Sequence, residues 1–269
     1  MIEKYYNGVI EQVAGGIGNV EHNSILVRYS NDFSIWDLES VNHYKDQTDI
    51  FFTCHEFSYN KIAEAYEPYL GLIRQMFHKY CSGTLEEFME ECDVYKLQRP
   101  VFESYFEKGF CERTEQILID EVEYEQERMR NSIVTMLQKL SEIRPVVIVL
   151  NRFQLASKST MQLTNRLLQT KNKNIGIVLG VNDVQSIPEF AHEEWDAICE
   201  SMDDRNMVYH IGNAGRNMEP DVMDYYSDYE SDDGYRKLNN LVYFLDFDQA
   251  DHHLSKIERR IKFDNFTIS

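Results

Sequence analysis

The chain is 269 residues long, 43% hydrophobic and 13% aromatic, enough for a substantial core in one large or two small domains. Charged residues make up 27%, which argues against global disorder, and 46 acidic against 27 basic residues give a formal net charge of −19. So negative a surface repels phosphate backbones and anionic membranes, which argues against direct nucleic-acid or membrane binding. No basic-plus-apolar leader opens the sequence, and no apolar run approaches the roughly 20 residues that span a bilayer, so the expectation is a cytoplasmic protein. The cysteines (Cys54, Cys81, Cys92, Cys111, Cys199) are odd in number and show no CxxC spacing. Free thiols are the plain reading, and neither they nor the scattered histidines suggest a metal site.

Residues 1–13 have an amphipathic helical pattern that Ala14-Gly-Gly-Ile-Gly18 breaks. Ser24-Ile-Leu-Val-Arg28 is the first candidate strand, followed by a turn-like Tyr29-Ser-Asn-Asp32 and a short helix over Ile35–Tyr44. Asp49–Cys54, rich in aromatic and β-branched types, is a second strand. The pattern over Lys61–Tyr80 is helical, with a fresh start at Pro68. Thr84 and Glu87 form a Thr-x-x-Glu capping box at the start of the next helix. Gln98–Phe110 is aromatic and ambiguous between states. Thr114–Ile143 is the longest helical pattern, with apolar residues recurring at three- and four-residue steps.

Val146–Leu150, bounded by Pro145 and a polar turn, reads as a strand buried on both faces. A helix over Thr160–Leu168 and a second aliphatic run, Ile175–Val181, follow it. Strand, helix, strand at this spacing is a βαβ unit and implies a parallel sheet covered by helices, an α/β three-layer fold. Ile187–Met202 reads as a helix and Met207–Ile211 as a short strand. Asn213–Gly234 alternates acids with tyrosines and is expected to be an exposed loop, since the acidic run holds no basic partner. Leu238–Ile261 closes the chain as a helix-rich segment. The expected organisation is a domain over 1–215 with its core at about 20–215, an acidic loop over 216–236 and a helical segment over 237–269.

Phe51-Phe-Thr-Cys54, Tyr66-Glu-Pro-Tyr-Leu70, Arg144-Pro-Val-Val-Ile-Val-Leu150, Phe153-Gln-Leu-Ala156, Ser159-Thr160 and Ile175–Gly180 occur in an order that resembles the STAND class of AAA-related P-loop ATPase domains. The resemblance covers roughly residues 20–215. It implies a P-loop NTPase-like fold with a helical insert, in a bacterial signalling protein. It also implies a place N-terminal to helical repeats and an output module, either a diguanylate cyclase or a DNA-binding domain. The partners it implies are a protein or the downstream domains of the same chain.

The departures from that family bear on chemistry. A Walker A loop needs glycines so that backbone N–H groups can wrap the phosphates, a lysine to neutralise them and a hydroxyl to ligate Mg²⁺. Aligning Ile25–Arg28 with the family's first strand puts Tyr29 and Ser34 at the glycines, Ile35 at the lysine and Trp36 at the hydroxyl. At the end of the Val146 strand, where the family carries two acids for the metal, stand Asn151 and Arg152. Phosphoryl transfer rests almost entirely on positioning and charge, so matched loss at both places removes the catalytic means. The reading is a non-catalytic regulatory or protein-interaction module with no cofactor. The alternative is an ATP-binding switch that uses ATP and Mg²⁺ in an unorthodox site, with Arg28, Arg152 and Lys158 as its positive charges. The Ala14–Gly18 stretch is a helix stop rather than a phosphate loop, because it precedes its strand.

Overall fold

The computed structural model describes residues 2–18, 23–29, 49–58, 61–111, 122–170, 172–182, 187, 189–203, 208–211 and 232–255. Ser34, Ile35, Trp36, the helix expected over Ile35–Tyr44 and the acidic segment up to residue 231 lie outside these.

The two aliphatic runs become the central strands. β3 (Val146–Asn151) and β4 (Ile175–Asn182) are buried at every position. Strands apolar on both faces remove most surface from water when layers cover both sides, at roughly 25 cal/mol per Å². β1 (Ser24–Tyr29), β2 (Phe51–Glu56) and β5 (Val208–Ile211) complete a five-stranded parallel sheet in the order β2-β3-β4-β1-β5. The register places Cys54, Val149, Val178 and Ile25 in one row across four strands. That row faces α1 (Ile2–Gly16), which contributes Val9, Ile10 and Val13 to the same cluster.

α1 comes close because Gly176 leaves room for it. A Cβ at Gly176 would lie 2.6 Å from Val13 Cγ1 and 3.3 Å from both the Asn23 carbonyl oxygen and Val147 Cγ2. Valine is stiff at χ1, so α1 would have to move as a body. Gly176→Ala is therefore expected to destabilise the fold by about 1–3 kcal/mol, as overpacking does. A urea melt matching the wild type would show that α1 does not sit this tightly on the sheet. α1 itself stops where the glycines predict. The helix ends at Gly16, and Gly18 adopts a φ of 95° and donates its N–H to the Lys173 carbonyl at 2.7 Å.

The opposite face carries the remaining helices: α2 (Tyr69–Tyr80), α3 (Leu85–Glu91), α4 (Arg99–Lys108), α5 (Val122–Ile143), α6 (Lys158–Gln169), α7 (His192–Asp203), α8 (Asp232–Tyr243) and α9, residues 247–255. Their apolar sides join Leu26, Ile148, Leu150, Ile177 and Leu179 in one large core. With α1 on the other side the fold has three layers, as the βαβ pattern implies. The capping box forms as expected, with the Glu87 N–H donating to Thr84 Oγ1 at 3.2 Å and the Thr84 N–H to Glu87 Oε2 at 2.8 Å.

Some expectations change. The stretch 61–68 is irregular rather than helical, and α2 starts only after Pro68. Ile62, Ala65 and Tyr66 are buried there at near-helical spacing, yet Tyr66 has a φ of 55°, which no α-helix admits. The described part of 237–269 packs on the domain. Leu241, Phe244 and Ala250 belong to the main core, and the Phe244 ring meets Tyr66, Phe102 and Tyr105 at centroid distances of 6.2, 5.8 and 5.6 Å. α8 also begins at Asp232, so 232–236 of the expected acidic loop are helical.

Candidate functional site at the carboxyl ends of the strands

Sheet order locates the crevice of such a fold. The steps from β2 to β3, β3 to β4 and β4 to β5 all run in one direction across the sheet, whereas the chain leaves β1 for β2 in the other. In open α/β sheets, ligands bind where that direction reverses, outside the carboxyl ends of the strands. The reversal lies at β1, so the relevant ends are those of β1, β4 and β3.

β1 ends at Tyr29, which pairs in register with Asn182 of β4 and Ile211 of β5. Just inside this end, Arg28 donates from Nη2 to Cys199 Sγ at 3.1 Å, and its guanidinium lies 5.8 Å from the centre of the Trp195 ring. α7 thus engages this cation through a thiol and an aromatic face.

β3 ends at Asn151, which is fully buried, and its Oδ1 accepts the Arg152 N–H at 3.0 Å. Arg152 adopts a left-handed conformation (φ 54°, ψ 42°), a cost of roughly 1–2 kcal/mol for a residue other than glycine. That conformation turns the chain sharply into a short 3₁₀ helix, Phe153–Leu155. The turn carries Phe153 between Phe57 and Trp195, at centroid distances of 6.1 and 6.4 Å. It also sends Gln154, fully buried, back to β4, where its Oε1 accepts the Asn182 N–H at 3.2 Å. The Arg152 side chain reaches Glu56 at the end of β2, with Nε 3.3 Å from Oε1.

The structure therefore brings Asn151 and Arg152 together with Glu56, Gln154 and Asn182 at one end of the sheet. Asn151 and Arg152 were singled out by sequence; the other three were not, because their relation to β3 runs through strand neighbours distant in the chain. Glu56 stands opposite Asn151 in the β2–β3 register. Its partner there is a guanidinium, and the contact turns it away from metal chemistry. His55, its neighbour, has its Nε2 3.4 Å from Glu67 Oε1. Among the described residues no group of three or more His, Cys, Asp or Glu side chains is placed to hold a metal ion.

The third candidate cation, Lys158, is engaged elsewhere. It lies 2.7 Å from Asp248 Oδ2 and 3.8 Å from Glu194 Oε1. Partial burial pulls its pKa down, but the bond to Asp248 and the charge of Glu194 outweigh that and hold it above the ordinary lysine value. It joins α6 to α7 and α9 instead of facing the crevice.

All five cysteines are free thiols, and burial pushes Cys92 and Cys111 up to about 12, so neither supplies a reactive thiolate at neutral pH. Among the described residues no helix is long and apolar enough to cross a membrane. No protein-family model matches the chain, and no curated protein shows significant similarity to it.

Proposed function

We propose that this chain is a P-loop NTPase-like module without catalytic activity, serving regulation or protein interaction in a bacterial signalling protein. The observation that carries the reading is the closed end of β3. Where a nucleotide hydrolase needs carboxylates facing Mg²⁺ and water, Asn151 spends its carbonyl on the next N–H and Arg152 spends its charge on Glu56. Gln154 closes the same space by bonding to β4. This polar stitching holds strand ends together, and among the described residues no group of acids is placed to hold a metal.

An interaction role draws support from a surface on the helical layer. Tyr95, Leu97 and Tyr124 expose 37%, 60% and 54% of their surface. The Arg128 guanidinium lies 4.1 Å from the Tyr95 ring centre and 4.2 Å from that of Tyr124, which holds both rings in place. Ordered aromatics around an arginine are the residue types that anchor protein interfaces. The partner is then a protein or a downstream domain of the same chain, and the module works without a cofactor.

Mg²⁺-dependent phosphate release from ATP is the test. Wild type is expected at background. Asn151→Asp should stay there, because a single metal ligand has no phosphate grip to work with, and so should Ile35→Lys with Trp36→Thr, because partial repairs of a cooperative site are far from additive. Hydrolysis well above background by the wild type would overturn the proposal.

A further inference from the structure

At the other end of the sheet lies a cleft of about 650 Å³, lined by the start of β2, the last turns of α2 and Arg144, just ahead of β3. Its walls hold Arg74, His78, Lys79 and Arg144 beside the rings of Phe51 and Tyr80, and no Asp or Glu is among the lining residues. In a chain with 46 acids and 27 bases, that local composition inverts the rest of the surface.

Arg74 and Lys79, on α2, are positioned by neutral groups. Arg74 donates from Nε to the Phe106 carbonyl at 2.6 Å and from Nη2 to the Glu107 carbonyl at 3.1 Å, at the end of α4. These bonds fix the guanidinium without cancelling its charge. His78 Nε2 lies 3.3 Å from the same Phe106 oxygen. Lys79 Nζ stands 5.9 Å from the Phe51 ring centre and 5.4 Å from that of Tyr80, and the Arg144 guanidinium is also 5.4 Å from the Tyr80 ring. Two cations therefore share one aromatic ring. His78 and Lys79 lie in the last turn of α2, where cations also offset the helix dipole. Arg74 and Arg144 lie outside that turn, so the dipole does not account for the set.

Phe51 and Tyr80 meet edge-on at 6.1 Å and 87°, which leaves flat aromatic surface beside the cations. Arginine forks match phosphoryl oxygens in pairs, and exposed ring faces take a planar group. The volume is within the roughly 300–1,000 Å³ of small-molecule pockets. We infer that this cleft binds a small phosphorylated ligand with a flat ring, of nucleoside-monophosphate size, between Arg74, Lys79 and Arg144 with its ring against Tyr80. The site is separate from the crevice at the carboxyl ends, which lies roughly 17 Å away along β3. It stands whether or not the proposed function holds.

Calorimetric titration of the full chain with adenosine and guanosine 5′-monophosphates, ribose 5-phosphate and inorganic phosphate tests this. The expected result is saturable, salt-sensitive binding of at least one nucleoside monophosphate below millimolar concentration, and weaker binding of the two ringless probes. Lys79→Gln, an exposed change that leaves the core intact, and Arg74→Gln should each weaken binding about tenfold, the loss of one charge-assisted contact. Thermal melts check that both variants fold. A nucleotide held at the carboxyl-end crevice would be indifferent to Lys79→Gln, so unchanged affinity in that variant overturns the inference. Absence of saturable binding by either nucleoside monophosphate, or equal affinity for ringed and ringless probes, overturns it as well.

Discussion

Replacing Asp246 with alanine is expected to destabilise the protein by about 3–4 kcal/mol, close to the largest loss a single side chain can produce here. Asp246 is buried, and its carboxylate serves two helices at once. Its Oδ2 accepts the Ser159 N–H at the start of α6 at 3.0 Å, and its Oδ1 accepts the Gln249 N–H in the first turn of α9 at 3.4 Å. Full burial pushes its pKa above the usual carboxylate value, while bonds from Ser159, Gln249 and Ser157 pull the other way. Losing a cap costs about 1 kcal/mol per helix, and each buried N–H left without an acceptor adds about 1–3 kcal/mol. Asp246→Asn keeps one acceptor oxygen and should lose roughly half as much. For a chain of this size the alanine variant should melt roughly 10 °C lower. A shift of only one or two degrees would mean that α9 contributes little to the core and that the C-terminal segment is peripheral after all.

That clamp also shows why the packing of the C-terminal segment on the core was not legible in the sequence. An aspartate before a helix is an ordinary N-cap by sequence, and nothing local says that a second helix 87 residues earlier uses the same carboxylate. The central strands were easier. Val146–Leu150 and Ile175–Val181 are continuous apolar runs of strand length, and continuous runs have few alternatives once β-branched content is counted. α4 was within reach too, since Pro100 near its start and Gly109, with φ 81°, at its end are the usual helix punctuation. The stretch 61–68 was not, because burial in an irregular segment can mimic helical spacing. Periodicity reports which side chains go inside, not the backbone that takes them there.

The candidate site divides along the same line. Asn151 and Arg152 could be identified because their positions follow from one strand. What surrounds them depends on Glu56, Gln154 and Asn182, which sheet register brings to them. The basic cleft was invisible for a related reason. Phe51, Arg74, Lys79 and Arg144 are spread over 94 positions of the sequence and form no local charge run. Only packing the end of α2 against the start of β2 collects them.

Acidification should destabilise the protein through His55, at the edge of the strand-end cluster. Burial, helped by the charge of Lys61 and opposed by Glu56, lowers its pKa from 6.5 to about 4. The unfolded chain therefore takes up this proton near pH 6.5, whereas the folded chain resists it until about pH 4. Stability from the neutral imidazole is fully present above pH 6.5, declines as pH falls between those values and is gone below pH 4. A shift of this size is worth at most about 3 kcal/mol, at 1.4 kcal/mol per pH unit. The Glu67 carboxylate, 3.4 Å from Nε2, favours the imidazolium, but the ring is packed against Phe57 at 4.5 Å and only 23% exposed, so burial is expected to win. His55→Gln keeps a donor for Glu67 and does not titrate. Denaturant melts of both proteins at roughly half-unit steps between about pH 7.5 and 4 isolate the histidine as the difference between them. The wild type should lose ground steadily relative to the variant as pH falls. If it gains ground instead, the Glu67 pair outweighs burial, the folded pKa is above 6.5, and His55 is held charged at the end of β2.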